Sequence, residues 1–492
     1  MNVIHIIGGG LAGTEAAWQV ASRGVCVILH EMRPVRPTEV HKTEQLAELV
    51  CSNSFRGDKL DNAVGLLKEE MRRLGSLVIR TADANRVPAG AALAVDRVRF
   101  AAAVTDAIQS HPLITVQREE ILSVPDDASM FPLIIATGPL TSAALSASIV
   151  GLLGGEHLSF YDAISPIVLS ESIDRTRVFR ASRWERSLRG AGDAPADAPV
   201  PAAAAVRPLP PGPGEARVAV TEVACGIDDG QGDYLNCPMT RAEYEAFYDA
   251  LTSAESATVH DFEKETFFEG CLPIEVMAHR GRETLRFGPM KPVGLVDPRT
   301  GRMPYAVVQL RQDTLAGDHF SLVGFQTQLK WGEQARVLRM IPGLAQAEFV
   351  RFGIVHRNTY INGPKVLHET WQTRQRPDLF FAGQISGVEG YVESAASGLV
   401  AGRNAAALVL GDPISVPPRT TAIGALAYYV SHAEPRNYQP TNIAFGIIPP
   451  LAPTPGRGVP RKKADRKVAL SARALGDLDA WMQAGLTGVR HG

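Results

Sequence analysis

The sequence contains few cysteines: five among 492 residues, at positions 26, 51, 225, 237 and 271. They are too few and too widely spaced to form the disulfide framework of a small secreted protein. Because their number is odd, at least one thiol stays free. We therefore expect a protein of the reducing cytoplasm, in which any special role of a cysteine is chemical.

Long hydrophobic runs and an excess of charge of one sign are absent as well. No apolar segment reaches the ~20 residues that a membrane-spanning helix requires. The apolar N-terminal segment is interrupted by glycines and lacks the features of a signal peptide. A net charge of -2 gives the whole molecule no attraction for phosphates, so an RNA partner would need a local basic patch. We find no metal-ligand spacing and expect neither metal nor membrane.

The length and composition that are present indicate a globular protein of more than one domain. Hydrophobic residues make up 45% and charged residues 21% of the chain, and 492 residues exceed what one core usually supports. Short apolar runs at 3–7, 132–136 and 379–382 lead directly into Gly-containing turns, and a further run at 25–29 ends at His30-Glu31. Because such strands lie at both extremes of the chain, we predict one doubly wound α/β domain with a large insertion.

The expected fold is a Rossmann-like α/β domain, of the type that binds dinucleotides, interrupted by an α+β insertion domain. We place the first part of the Rossmann-like domain at residues 1–173, the insertion at 174–350, the second part at 351–448, and a linker, basic stretch and helix at 449–492. Residues 240–256 are predicted to be a helix with Thr240 as N-cap and Glu243 three residues later. Residues 190–214, rich in Ala, Pro and Gly, are predicted to be a disordered loop.

The glycine-rich turn at residues 8–13 predicts a dinucleotide site. In the pattern Gly8-x-Gly10-x-x-Gly13, the first glycine permits a tight turn, the second lets the backbone approach a pyrophosphate, and the third lets helix and strand pack closely. Glu31, about 20 residues on, is suited to accept hydrogen bonds from a ribose. The turns at 137–138 and 383–384 resemble those by which glutathione-reductase-type flavoproteins enclose FAD. The predicted cofactor-binding residues are Gly8, Gly9, Gly10, Leu11, Ala12, Gly13, Glu31, Thr137, Gly138, Gly383 and Gln384.

Further motifs cover most of the chain outside the Ala/Pro-rich segment and the tail. They are ELVCSNS at 48–54, NAVGLLKEEM at 62–71, NCPM at 236–239, FEGCLPIE at 268–275, FGPMKP at 287–292, HRNTY at 356–360 and GVEGYVES at 387–394. In this order they resemble the TrmFO family of bacterial folate- and FAD-dependent tRNA (uracil-5-)-methyltransferases, which is related to the wobble-uridine tRNA modification flavoproteins. The Ala/Pro-rich segment departs from the family, whose members connect more briefly there.

The resemblance implies methylation of uracil C5 in the tRNA T-loop, at position 54. The carbon would come from 5,10-methylenetetrahydrofolate, and the electrons from FAD reduced by NADH or NADPH. Such chemistry asks for a thiolate that adds at C6 and for a second group that handles the C5 proton. Cys271 and Cys51 stand in family motifs, so we assign Cys271 as the nucleophile and Cys51 as the assisting thiol, with the reverse assignment left open. For Cys26, Cys225 and Cys237 we favour a role as small buried hydrophobes.

Several polar and basic segments are candidates for contacts to folate and RNA, and each also has a structural explanation. Lys291 and residues 356–358 are candidates for the folate site, although turn and capping needs explain their polarity equally well. The basic cluster at 279–286 and the tail at 457–467 are candidates for phosphate contacts, with solvated surface charge as the alternative. Two other functions stay open: the same chemistry on a ribosomal RNA uracil, and a flavin-dependent oxidoreductase of a small molecule or a relative of the wobble-uridine flavoproteins.

Overall fold

The computed structural model describes residues 3–38, 40–154, 157–163, 165–185, 232–256, 272–353, 355–452 and 460–488. The predicted disordered loop at 190–214 lies outside these residues, as do Cys225 and Cys271.

The strands and helices are defined as follows. The strands are β1 (Val3–Ile7), β2 (Cys26–Glu31), β3 (Ser54–Gly57), β4 (Arg86–Val87), β5 (Ala92–Val95), β6 (Ile114–Arg118), β7 (Leu133–Ile135), β8 (His157–Ala163), β9 (Ile167–Leu169), β10 (Phe179–Ala181), β11 (Tyr234–Met239), β12 (Ala306–Gln312), β13 (His319–Leu322), β14 (Phe349–Arg351), β15 (Val355–Ile361) and β16 (Leu379–Phe381). The helices are α1 (Leu11–Ala21), α2 (Ala63–Arg73), α3 (Leu77–Ala84), α4 (Arg97–Gln109), α5 (Ala143–Leu153), α6 (Arg241–Thr252), α7 (Ile274–His279), α8 (Thr284–Phe287), α9 (Trp331–Leu338), α10 (Gly363–Val366), α11 (Tyr391–Leu410), α12 (Ala422–His432) and α13 (Lys463–Gly488).

A parallel sheet of order β16-β7-β1-β2-β6 forms the first layer. The predicted strands from both ends of the chain therefore lie in one sheet, which confirms the Rossmann-like α/β fold. The isoleucines of β1, Ile4, Ile6 and Ile7, are buried because helices cover the sheet. Helix α1 packs closely on α11: a Cβ at Gly398 or Gly402 would overlap the backbone of α1. This contact brings the two Gly-rich turns that precede these helices to one edge of the sheet.

A second, antiparallel sheet has the order β10-β11-β12-β13-β9-β14 and its own hydrophobic core. Helix α6 packs into that core through Tyr244, Phe247 and Leu251. It begins at the predicted capping box, in which Thr240 and Glu243 exchange hydrogen bonds. This helix and the antiparallel sheet together confirm the α+β part of the predicted fold. The domain boundaries that we predicted, at residues 173 and 350, stay predictions.

Two smaller sheets complete the described structure. Strands β8 and β15 pair as an antiparallel ribbon, and β3, β5 and β4 form a three-stranded sheet beside the first layer. Helix α13 is longer than the predicted helix at 469–482 because the charged, helix-forming residues before it continue the helix.

None of the helices in the described ranges is long and apolar enough to cross a bilayer.

Candidate active site

A cavity opens where β1, β7 and β16 end, at the carboxyl edge of the parallel sheet, the usual ligand position in such sheets. The predicted cofactor-binding residues that line it are Gly8, Gly9, Gly10, Leu11, Ala12, Glu31, Thr137, Gly138, Gly383 and Gln384. Gly13 does not line the cavity. It packs beneath the turn, where a Cβ would overlap the carbonyl oxygen of Gly8.

The glycines of this turn meet different needs. Gly8 has a φ of +107°, and a Cβ there would lie 2.5 Å from the carbonyl oxygen of Ala136. At Gly10 the backbone is ordinary, and a Cβ would find no atom within 4 Å. The space beside Gly10 is therefore an open cradle on the cavity wall, of the kind that lets a ligand approach the backbone.

Helix α1 begins at this cradle with Gly10 as N-cap, and no side chain caps its terminus in the described structure. Its first residues, Leu11 and Ala12, line the cavity. Because the first N–H groups of a helix have no intrahelical acceptor, such a terminus attracts an anion. The residues present therefore fit the diphosphate of a dinucleotide.

Glu31 ends β2 as predicted, and its carboxylate is already engaged. Oε2 accepts the N–H of Gly9 at 2.8 Å, and Oε1 accepts from Nε of Arg33 at 2.8 Å. Burial opposes the charge, but Arg33 and the hydrogen bonds hold the pKa of Glu31 below its ordinary value. Oε1 also accepts the backbone N–H of Arg33 at 3.0 Å, so Oε2 is the oxygen that keeps a lone pair for a ribose hydroxyl. Arg33 also lies on the cavity wall, and no motif in the sequence had indicated it as a site residue.

Cys51 lies beside this cavity, in contact with Tyr391 on its wall. The Sγ atom of Cys51 is 3.1 Å from Oη of Tyr391, and that oxygen accepts the backbone N–H groups of Cys51 at 2.9 Å and Ser52 at 3.1 Å. Two donors occupy the lone pairs of the phenol oxygen, so its proton points to the sulfur. Burial, with a contribution from Cys51, raises the pKa of Tyr391, which keeps that proton in place.

Two arginines interact electrostatically with this pair. Arg97 bonds to Asp313 at 2.8 Å; burial disfavours its charge, but Asp313, Tyr391 and Cys51 raise its pKa. Burial, together with Arg97, lowers the pKa of Arg351, whereas Tyr391 and Cys51 oppose that shift. Nε of Arg97 and Nη2 of Arg351 are buried without a hydrogen-bond partner in the described part of the chain. The surroundings of Cys51 therefore favour negative charge.

The motif at 62–71 supports this site from behind. Lys68 is fully buried and donates to the carbonyl oxygens of Phe55 at 2.8 Å and Gly57 at 2.7 Å. Burial lowers its pKa to about 7. The residue between them, Arg56, has a φ of +61° and forms an ion pair with buried Glu393, two residues after Tyr391. Lys68 of the motif thus holds the backbone on both sides of Arg56, and Arg56 in turn contacts the start of α11. The sequence identified the motif but not this contact.

The other described cysteines carry no such environment. Cys237 is fully buried in β11, and burial raises the pKa of its thiol to about 12, so it is the small hydrophobe that we predicted. Cys26 is partly buried at the start of β2. Cys271 lies outside the described residues, so its assignment as the nucleophile beside Cys51 stays a prediction.

Two arginines among the candidates for RNA contacts form ion pairs within the protein. Arg282 pairs with Asp249, and Arg286 pairs with Glu283 while stacking over Tyr305. The segment 356–358 lies in β15, and its side chains are outside the described part. Residues 457–459 of the basic tail are likewise outside it, and α13 begins at Lys463. In the described ranges, no group of three or more His, Cys, Asp or Glu residues is arranged to hold a metal ion.

Comparison with known proteins identifies the chain's relatives. The family model described as "Glucose inhibited division protein A" matches residues 3–191 and 218–413. A methylenetetrahydrofolate--tRNA-(uracil-5-)-methyltransferase TrmFO of Desulforudis audaxviator is 57% identical over 480 residues, covering 97% of this chain and 98% of its own. Its namesake from Heliobacterium modesticaldum is 54% identical over 470 residues, or 95% and 96% of the two chains.

A solved structure agrees in fold. Aquifex aeolicus GidA, in its form II crystal, matches with a TM-score of 0.65 at 16% identity, covering 98% of this chain and 73% of that one. This likeness concerns the fold alone, whereas the relatives above 50% identity match along nearly their whole length. The chain belongs to the glucose inhibited division protein A family and, within it, to the TrmFO family.

Proposed function

We propose that the protein is an FAD- and methylenetetrahydrofolate-dependent tRNA (uracil-5-)-methyltransferase that forms 5-methyluridine at position 54 of the T-loop. The observation that carries the proposal is the contact of Cys51 with Tyr391 on the wall of the dinucleotide cavity, in a chain more than 50% identical to TrmFO relatives. A thiol that adjoins a flavin site suits a reaction in which a base is activated and then reduced next to the cofactor.

The turn at 8–13, Glu31 and the turns at 137–138 and 383–384 would hold FAD. The open cradle at Gly10 and the uncapped start of α1 fit its diphosphate, and Glu31 would accept a ribose hydroxyl. FAD, when bound and reduced by NADH or NADPH, supplies the two electrons that turn the transferred carbon into a methyl group. The protein's own groups do the rest: they orient the base, exclude water and move its protons.

Cys271 is the proposed nucleophile at uracil C6, and Cys51 is the proposed acceptor of the C5 proton. Two features support the role of Cys51. Tyr391 donates its hydroxyl proton to the sulfur, and Arg97 and Arg351 add positive charge, so the surroundings favour the thiolate, the form of Cys51 that can accept a proton. If the two roles are reversed, the same surroundings would instead serve a nucleophilic thiolate.

Covalent trapping separates the two cysteines. With a T-arm RNA that contains 5-fluorouracil, the protein should form a stable adduct, because fluorine at C5 cannot leave as a proton does. Cys271→Ala should abolish the adduct, while Cys51→Ala should retain it. An adduct that persists in Cys271→Ala and disappears in Cys51→Ala would reverse the assignment.

The function itself is tested by incubating the purified protein with unmodified tRNA, 5,10-methylenetetrahydrofolate and NADPH or NADH, followed by nucleoside analysis. We expect 5-methyluridine in the T-loop, dependent on folate. If the protein binds a flavin that can be reduced but the tRNA still lacks 5-methyluridine after the reaction, the proposal is wrong. Ribosomal RNA, assayed in parallel, would then be the substrate to examine.

A further inference from the structure

Three aromatic rings form a row on the surface of the second sheet, and the site described above does not use them. Trp331, the first residue of α9, is 64% exposed. Its ring lies nearly parallel to that of Phe352, with centroids 6.3 Å apart and an interplanar angle of 18°. Phe352 in turn stacks on Phe349 at 5.2 Å and 21°. The row is thus an offset stack whose outer member presents its ring to solvent.

The row is linked to the active site by a single strand. In β14, Phe349 pairs with Val168 and Arg351 with Ile167, so Val350 is an extra, bulged residue. A bulge re-aims the side chains that flank it. Phe349 joins the aromatic row, whereas Arg351 interacts with Cys51 and Tyr391. A ligand that binds the aromatic row would therefore contact the strand β14, whose Arg351 interacts electrostatically with Cys51.

The chemistry of the row favours a flat aromatic ligand. The indole of Trp331 is mostly exposed. Because apolar surface stabilises a fold only when it is buried, this ring contributes little to folding. Two cations of the Trp331 segment form ion pairs: Lys330 with Glu255 at 2.6 Å, and Arg336 with Glu333 at 2.6 Å. The exposed member of the row is thus an aromatic ring, and recognition there depends on ring stacking. Unpaired nucleobases are bound in this way, on the faces of aromatic side chains.

We infer that Trp331, backed by Phe352 and Phe349, is a stacking site for an unpaired nucleobase of the RNA that carries the target uracil. The inference rests on the proposed function. A uracil that enters the site of Cys51 must leave its own stack, and a neighbouring base that stacks on Trp331 replaces part of that lost stacking. The site thereby contributes to RNA affinity and positioning.

Substitutions at Trp331 test the inference. Stacking on an aromatic side chain is worth ~1–3 kcal/mol per base, so Trp331→Ala should weaken tRNA binding by about 5-fold to about 150-fold. Trp331→Phe keeps an aromatic face and should restore most of the affinity, whereas Trp331→Leu keeps apolar area without such a face and should not. The measurements are the Kd for unmodified tRNA and the KM for tRNA, with thermal unfolding as a check on the fold.

A second readout reports stacking directly. A T-arm RNA with 2-aminopurine beside the target uracil should lose fluorescence on binding the wild-type protein, and lose much less on binding Trp331→Ala. Oxidation of NADPH by the bound flavin should be equal in both proteins. Equal tRNA Kd and equal quenching in wild type and Trp331→Ala, while the wild type methylates tRNA, would overturn the stacking site alone. A wild type that neither binds nor methylates tRNA would instead overturn the proposed function.

Discussion

The thiol of Cys51 is held by Tyr391, a residue 340 positions away in the chain. The phenol oxygen accepts the N–H groups of Cys51 and Ser52, so its own proton is directed to the sulfur 3.1 Å away. One hydroxyl thus fixes the backbone that carries Cys51 and stabilises negative charge on its sulfur.

Tyr391→Phe should therefore affect both stability and thiol reactivity. Two backbone N–H groups lose their acceptor, which we expect to lower the free energy of unfolding by about 1–3 kcal/mol. Alkylation of Cys51 by iodoacetamide at neutral pH should become slower, as followed by mass spectrometry. Tyr360→Phe is the matched control: it removes a buried hydroxyl that donates to the carbonyl of Tyr438, and should leave Cys51 alkylation unchanged. Equal alkylation rates in all three proteins would contradict the hydrogen-bond assignment.

Arg351→Met should move the pH dependence of Cys51 alkylation. A nearby cation favours the thiolate, and its removal disfavours it, so the midpoint of the rate profile should rise by about one pH unit. The measurement is the alkylation rate of Cys51 as a function of pH. Arg336→Met, which removes an arginine of a surface ion pair, serves as the control. A profile that does not move would show that Arg351 has no electrostatic effect on this thiol.

Two glycine substitutions should separate cofactor binding from folding. Gly10→Ala adds a methyl group to open space, so the fold should persist while FAD affinity falls roughly tenfold or more, about 1.4 kcal/mol. Gly13→Ala places the same group on the carbonyl oxygen of Gly8 and should impair both folding and FAD content. The visible absorbance of bound flavin per protein and the urea midpoint report the two effects. A Gly10→Ala protein with unchanged FAD affinity would exclude the cradle as the diphosphate site.

Glu70 should make stability depend on pH. Its carboxyl is fully buried at the start of α12, where it accepts the N–H groups of Ala422 and Ile423, and burial raises its pKa from 4.5 to about 8. The folded state then binds a proton that the unfolded state releases above pH 4.5. The stabilisation of the folded state by this proton is complete below pH 4.5 and is lost as the pH rises through about 8.

Glu70→Gln should remove that contribution. We expect the free energy of unfolding of the wild type to fall more steeply between pH 4.5 and about 8 than that of the variant, measured by urea titration at several pH values. Glu69→Gln changes a neighbouring, partly exposed carboxylate that pairs with Arg73, and should keep the wild-type slope. Parallel curves for wild type and Glu70→Gln would refute the raised pKa.

The sequence alone was sufficient for features that depend on neighbouring residues. The glycine turn at 8–13, the end of β2 at Glu31 and the capping box at Thr240 are set by local backbone geometry and hydrogen bonding, and all three are found in the structure. The motifs also identified the family, because ordered matches along a whole chain need no coordinates. The importance of Cys51 came from its motif in the same way.

Only the tertiary structure decided which groups surround Cys51. Tyr391 lies at the start of α11, Arg97 at the start of α4 and Arg351 at the end of β14, and packing of distant elements brings them together. Neither hydrophobic periodicity nor motif spacing carries information on such long-range contacts, because each depends on how the two sheets and their helices are arranged. The sequence determined the cofactor turn and which cysteines are candidates for the chemistry; the fold determined the electrostatic surroundings of Cys51.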